Sequence, residues 1–143
     1  MNKFITIIVL LVGAYISWGQ FNRPDDSAAF TNQKDTVLSG AFNERLSGVQ
    51  AQGNGTVIKI LSDDNEGSRH QRFILKLQSS QTLLIAHNID LAPRISNLRD
   101  GDDVAFNGEY EWNSKGGVIH WTHHDPNGHH EAGWLRHNGQ TYQ

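Results

Sequence analysis

Cysteine is absent from the 143 residues, which removes disulfides, thiolate zinc ligands and lipid attachment through cysteine. Stability must therefore come from packing, or from a metal held by other ligands. A surplus of positive charge is missing as well. Lys and Arg number 12 against 15 Asp and Glu; residues 1–19 contribute only Lys3, so the remainder carries 11 against 15, or −4 with neutral histidines. That balance supplies no general attraction to nucleic acid or to anionic membrane. Neither an internal repeat nor a low-complexity tract occurs, which excludes solenoid and array architectures. At this length the chain holds one core and not two.

What is present begins with "MNKFITIIVLLVGAYISWGQFN", where Lys3 precedes an uncharged run from Phe4 to Asn22. A basic tip followed by an apolar run is the layout of an export signal. Ser17 and Gly19 are the small residues that cleavage after Gly19 would use, although Trp18 between them is bulky and no A-x-A is present. The other reading is an uncleaved anchor, since Phe4 to Phe21 as a helix spans roughly 27 Å against a hydrocarbon core of about 30 Å. Either way the rest of the chain is expected outside the cytoplasm, periplasmic or secreted, with membrane contact only through residues 1–19.

Residues 20–48 are polar and broken by Pro24, Gly40 and Gly48, and read as a linker with a short helix near "GAFNERLSGVQ". From Val49 the expected domain runs to the end of the chain. The 14 glycines of the whole chain lean toward β, and five short apolar runs separated by turn residues are candidate strands: Thr56 to Leu61, Arg72 to Gln78, Thr82 to Asn88, Asp103 to Trp112 and Gly117 to Thr122. Ser79 and Ser80 fit one hairpin tip and "NSKGG" another. "IDLAPRISNL" can hold one helical turn between the third and fourth strands. The expected fold is all-β, a small five-stranded OB-fold-like barrel with a short helix, preceded by the signal or anchor.

Six of the eight histidines lie between His120 and His137, in and beside "HWTHHDPNGHHEAGW", together with Asp125 and Glu131. Neutral imidazole binds zinc, copper, nickel or iron, and carboxylate oxygen completes the shell, so His120, His123, His124 and His129 are candidate ligands of a divalent metal, zinc first. Strand alternation would put His120 on one face and Trp121 on the other, making Trp121 the core residue. Pro126 and the following Asn-Gly favour a turn that folds His129 or His130 back toward the earlier histidines. The other reading is a solvated polar loop. No H-E-x-x-H occurs, which excludes the helical zinc-protease arrangement.

Three further groups carry candidates. In "SDDNEGSRHQRF" Arg69, His70 and Arg72 can grip a phosphate or carboxylate, while Asp63, Asp64 and Glu66 suit a hard cation without the spacing of a calcium hand. The alternative is a solvated loop with surface ion pairs. In "AHNIDLAPR" His87 and Asn88 end an apolar strand, and a satisfied hydrogen-bonding role is as plausible there as a catalytic one. Among the aromatics, Trp134 is the residue to place beside a ligand, where stacking on a base is worth about 1 to 3 kcal/mol.

Taken together, "DDNEGSRHQRF", "AHNIDLAPR", "GDDVAFNGEYEWN" and "GGVIHWTHHDPNGHHEAGWLRHNGQTY" resemble a bacterial family catalogued as domain of unknown function 3465, over Val49 to Tyr142. The resemblance implies one exported bacterial domain and supplies no mechanism. Two functions follow from the residues. In one, a metal held by histidines and Asp125 activates water against a phosphodiester, with Arg69, His70 and His87 assisting. In the other, the loops and aromatics bind a saccharide, peptide or nucleotide without catalysis, and any metal is structural.

Overall fold

The computed structural model describes the backbone of residues 26–143 and the side chains from residue 33 onward, so the expected signal or anchor lies outside the described residues. Seven strands follow one helix: α1 (Asp26–Asn43), β1 (Val49–Ile60), β2 (His70–Lys76), β3 (Thr82–Asn88), β4 (Asp103–Glu111), β5 (Val118–His120), β6 (Trp134–His137) and β7 (Gln140–Tyr142). Hydrogen-bonded neighbours run β1-β2-β3-β5-β4, and β4 pairs back with β1, which closes a five-stranded barrel. All neighbours are antiparallel except β3 and β5, where Leu84 faces Val118 and Ile85 faces Ile119 in parallel. This is the expected OB-like barrel. Among the described residues no helix is long and apolar enough to cross a membrane.

β1 closes the barrel because it is long enough to serve two partners. Val49 to Thr56 pairs with β4, and Thr56 to Ile60 pairs with β2 through an irregularity between Val57 and Lys59. Its inward positions before Val57 are Ala51, Gly53 and Gly55. A Cβ at Gly53 would stand 2.7 Å from the Phe106 ring, and one at Gly55 would stand 2.8 Å from the Lys76 carbonyl. Small residues are required where the strand bends through a tight barrel wall. The same residues hid this half of the strand in the sequence, where they read as a broken linker.

The core alternates inward along every strand: Phe73 and Leu75 from β2, Leu83 and Ile85 from β3, Val104, Phe106 and Tyr110 from β4, Ile119 from β5. Each barrel end has its own cover. Helix α1 occupies much of the stretch expected to be a linker. It buries Leu38 and Ala41 in the core, accepts the Ser79 amide on Asp35 at 2.9 Å, and takes the Trp112 indole N–H on the Phe42 carbonyl. Arg45, in the left-handed region at φ 55°, ends it: the Arg45 amide bonds to the Phe42 carbonyl and the Leu46 amide to the Ala41 carbonyl.

The opposite end is closed by the segment between β3 and β4. A helical turn was expected there, and turns with no helix are found. Pro93 cannot donate, and Gln71, buried at the start of β2, instead clamps the backbone of Ile95: its Oε1 accepts the Ile95 amide at 2.9 Å and its Nε2 donates to the Ile95 carbonyl at 3.0 Å. Ile95 is thereby fixed as a plug.

Beyond the barrel, β6 adds to β4 and carries β7 on a two-residue turn at Asn138 and Gly139, both with positive φ. The "HNGQ" signal for that hairpin stands in the sequence.

A candidate metal centre on the outer barrel face

β4 and β5 meet with Glu109 opposite His120 and Glu111 opposite Val118. Residues 109 and 111 share the outer face because strand side chains alternate, so two carboxylates and one imidazole are directed outward from adjacent strands. His120 Nε2 lies 3.4 Å from Glu109 Oε1 and 3.6 Å from Glu111 Oε1. Their ligand atoms all fall within 4.8 Å of one another. Bonds of about 2.0 to 2.2 Å to one tetrahedral ion would place its ligands roughly 3.3 to 3.6 Å apart. His120 Nε2 is also buried and makes no hydrogen bond.

The loop after β5 completes the surroundings. His130 directs Nε2 at Glu109 Oε2 at 2.5 Å and Nδ1 at the Glu131 carbonyl at 2.8 Å. Both partners only accept, so both ring nitrogens carry hydrogen and the ring is the cation. The Glu109 contact raises the pKa of His130 above its ordinary value, and the same hydrogen bond, first among several causes, holds Glu109 below the usual carboxylate range. Glu109 thus divides its oxygens, one toward His120 and one held by His130, as ligating carboxylates commonly do. The His130 ring stacks on Trp121 with centroids 4.1 Å apart and planes 6° apart.

Trp121 is half-buried at this site, where alternation had placed it in the core. The reason is local: β5 stops at His120, and Trp121 takes a left-handed φ of 52°, which breaks the alternation. Thr122 goes inward in its place, fully buried. A left-handed non-glycine residue stores strain of order 1 to 3 kcal/mol, and such residues cluster at functional sites.

Asp125 organises the loop and does not face the cluster. Its Oδ1 accepts the Asn127 amide at 2.9 Å, and its Oδ2 accepts the amides of His129 at 2.8 Å and His130 at 2.9 Å. These backbone donors lower its pKa. Asp125→Ala is expected to release the loop and, with it, the hold of His130 on Glu109, weakening metal affinity about 10-fold by isothermal titration; unchanged affinity would show that the loop has no part in the centre.

The remaining expected residues separate. Of the four histidines expected to share an ion, His120 alone belongs to the cluster. His124 and His129 are exposed and join no group of three ligand atoms among the described residues, while His123 is buried with Nδ1 donating to the His124 carbonyl at 2.7 Å. His87 is fully buried: Thr122 Oγ1 lies 2.7 Å from Nδ1 and the Pro93 carbonyl 3.0 Å from Nε2. Burial, only partly opposed by the Pro93 contact, lowers its pKa to about 4. It is neutral, donates Nε2–H to Pro93 and accepts from Thr122, so no ring atom remains for catalysis. Arg69 is occupied by Asp90, through Nε at 2.7 Å and its amide at 2.8 Å. Arg72 gives Nε to the Ser62 carbonyl on the outer face, opposite Ala86. Trp134 sits on β6 with the Arg136 guanidinium 4.1 Å from its ring centroid, so one face is already covered.

His70 and His87 lie on neighbouring strands and opposite faces. His70 pairs with Asn88 outside, whereas Gln71 and His87 point in. His70, Asn88, His120, Trp121 and His123 line one cavity of about 250 Å³ beside the metal cluster.

The family described as "Protein of unknown function (DUF3465)" matches residues 25–143. The chain belongs to this family. Its DUF3465 match takes in α1 as well as the barrel and the β6–β7 hairpin, so the helix that caps the barrel belongs to the family's domain. No curated protein matches the chain. Glu109 and Glu111, the two carboxylates of the cluster that the histidine count overlooked, stand in "GEYEW". The signal available for them was two carboxylates at i and i+2 of an expected strand, hence on one face.

Proposed function

We propose that this DUF3465 protein is a divalent-metal enzyme in which Glu109, Glu111 and His120 hold one ion, zinc being the best fit, and the ion activates water for hydrolysis. The observation that carries the reading is the buried, unpartnered Nε2 of His120 set at ligand spacing from two carboxylates. Three protein ligands leave a coordination position for water, whose pKa a zinc ion lowers toward about 7. Phosphodiesters are the first substrates to test. Arg69 is engaged by Asp90, so Arg72, on the outer face of β2 opposite Ala86, is the arginine to test for contact with a phosphate. The basic tip and uncharged run of residues 1–22 support work outside the cytoplasm, periplasmic or secreted.

A non-catalytic module with a structural ion is favoured by one observation. His130 Nε2, 2.5 Å from Glu109, would on giving up its proton become a fourth ligand and close the shell. Metal content separates the readings when combined with a spectrum. The full chain, purified without a histidine tag, is expected to carry about one ion that chelator removes. Cobalt substituted for it should change its visible spectrum on addition of azide if a position is open. No ion and no uptake of zinc or manganese would end both readings, and one ion with a spectrum indifferent to azide would leave the structural one.

A further inference from the structure

The cavity beside the cluster presents an unusual set of groups for a protein surface. His70 and His123 both direct Nδ1 at a backbone carbonyl, Ser68 at 2.8 Å and His124 at 2.7 Å. A carbonyl cannot donate, so Nδ1 carries the hydrogen, and with a single ring proton Nε2 is the acceptor. Among the described residues neither Nε2 has a hydrogen-bond partner. Asn88 accepts the Asp90 amide on Oδ1 at 2.9 Å, which leaves its Nδ2 as a donor. Two acceptors and a donor therefore face one space of about 250 Å³.

The apolar part of the wall comes from Trp121, Ala86 and Leu91. Trp121 has His130 stacked on it and His123 tilted against it with centroids 5.4 Å apart, so the indole is held rigid. Ala86 lies between Arg72 on β2 and the β5 strand, and its small side chain makes the hollow. Leu91, 47% exposed, adds an apolar side chain to this lining.

Each property excludes a class of guest. A second metal is excluded by width: the only group of three or more ligand atoms within 4.8 Å among the described residues is the one at Glu109, Glu111 and His120. An anion is disfavoured because the cavity offers lone pairs, and Arg69 is bound to Asp90 instead of lining it. A purely apolar guest would leave two imidazole acceptors and an amide donor desolvated and unpaired. His70 comes from β2 and His123 from the segment after β5.

We infer that the cavity is the subsite for a sugar ring. A sugar has hydroxyls around its perimeter, each able to donate to an imidazole Nε2 and to accept from Asn88, and apolar C–H groups that pack against Leu91 and the accessible part of the half-buried indole. His120 lines the cavity and also belongs to the metal cluster, so a bond carried by the ring is delivered to the ion. The inference deepens the metal-hydrolase reading by naming its substrate as a glycoside or a sugar-bearing ester. The cavity geometry stands apart from the metal.

Saturation-transfer NMR on the full chain tests it, with methyl β-glucopyranoside and methyl β-N-acetylglucosaminide in one arm, ribose in a second, and free adenine and uracil in a third. Transfer to sugar C–H protons is expected with millimolar affinity, lost in Trp121→Ala and weakened about 10-fold in His123→Ala and in His70→Ala. The first two arms distinguish a glycan from a nucleotide as the source of the sugar. Should Trp121→Ala not fold, the two histidine variants carry the test. Absence of transfer at about 50 mM sugar, transfer undiminished in the folded variants, or stronger transfer to the free bases would overturn the assignment. Metal content measured on the same samples keeps the two readings apart: sugar lost with the ion retained in His70→Ala locates the sugar in the cavity, and sugar bound by a chain that takes up no ion defeats only the metal reading.

Discussion

His120→Ala is expected to weaken zinc binding by at least about 100-fold, roughly 3 kcal/mol, while the barrel stays folded. The expectation of an intact fold comes from position. His120 is on the outer face at the end of a three-residue strand, its Nε2 makes no hydrogen bond, and the inward residue that anchors β5 is Ile119. Removing the ring deletes a proposed ligand and its charge contacts with Glu109 and Glu111 but breaks no hydrogen bond of Nε2. Glu111→Gln should have a similar effect, because an amide is a poor ligand beside an anionic carboxylate. Glu109→Gln should do more, since it also breaks the ion pair that holds His130 at 2.5 Å. Competition against a chromophoric chelator, with circular dichroism to verify folding, measures all three. Wild-type affinity in His120→Ala would remove the centre from this face.

Much of the barrel was legible because its strands obey alternation. Thr82 to Asn88 appears in the structure with the bounds read from its pattern, and the turns at Ser79–Ser80 and "NSKGG" fall where serine and glycine put them. The first half of β1 was not legible, because Ala51, Gly53 and Gly55 point inward and small residues give no hydrophobic period. Helix α1 was reduced to a short stretch for a related reason. The buried residues among its described side chains are Asp35, Leu38 and Ala41, only one of them large and apolar. The site was half legible. Histidine density led to His120, but the ligands opposite it depend on β4–β5 register, which is a property of the folded sheet. Trp121 was misplaced because one left-handed residue ends an alternation that composition alone would continue.

The parity of β3 leads to the other large effect. Leu83, Ile85 and His87 share the inward face, and among these His87 alone can ionise. Its pKa is lowered from the ordinary 6.5 to about 4, chiefly by burial. The unfolded chain therefore binds a proton there between those two values that the folded chain refuses. Stability contributed by the neutral ring is fully present above pH 6.5 and is lost as pH falls to about 4, in total about 3 kcal/mol. That is a large part of the 5 to 15 kcal/mol typical of a domain. Other titrations fall elsewhere or run the other way. Asp90, Asp102, Asp125 and Glu109 all have lowered pKa values, so their contributions fade at still lower pH. His130, raised by Glu109, contributes most below 6.5 and loses its contribution as pH rises through its own folded value, which offsets part of the His87 effect in wild type. His87→Gln isolates the term. It removes the titration while keeping a polar group for Thr122 and the Pro93 carbonyl. Urea unfolding at pH 7, 5.5 and 4 should show the variant less stable than wild type at pH 7 and losing about 3 kcal/mol less on acidification. Parallel pH profiles for the two proteins would mean that His87 is not held neutral in the barrel.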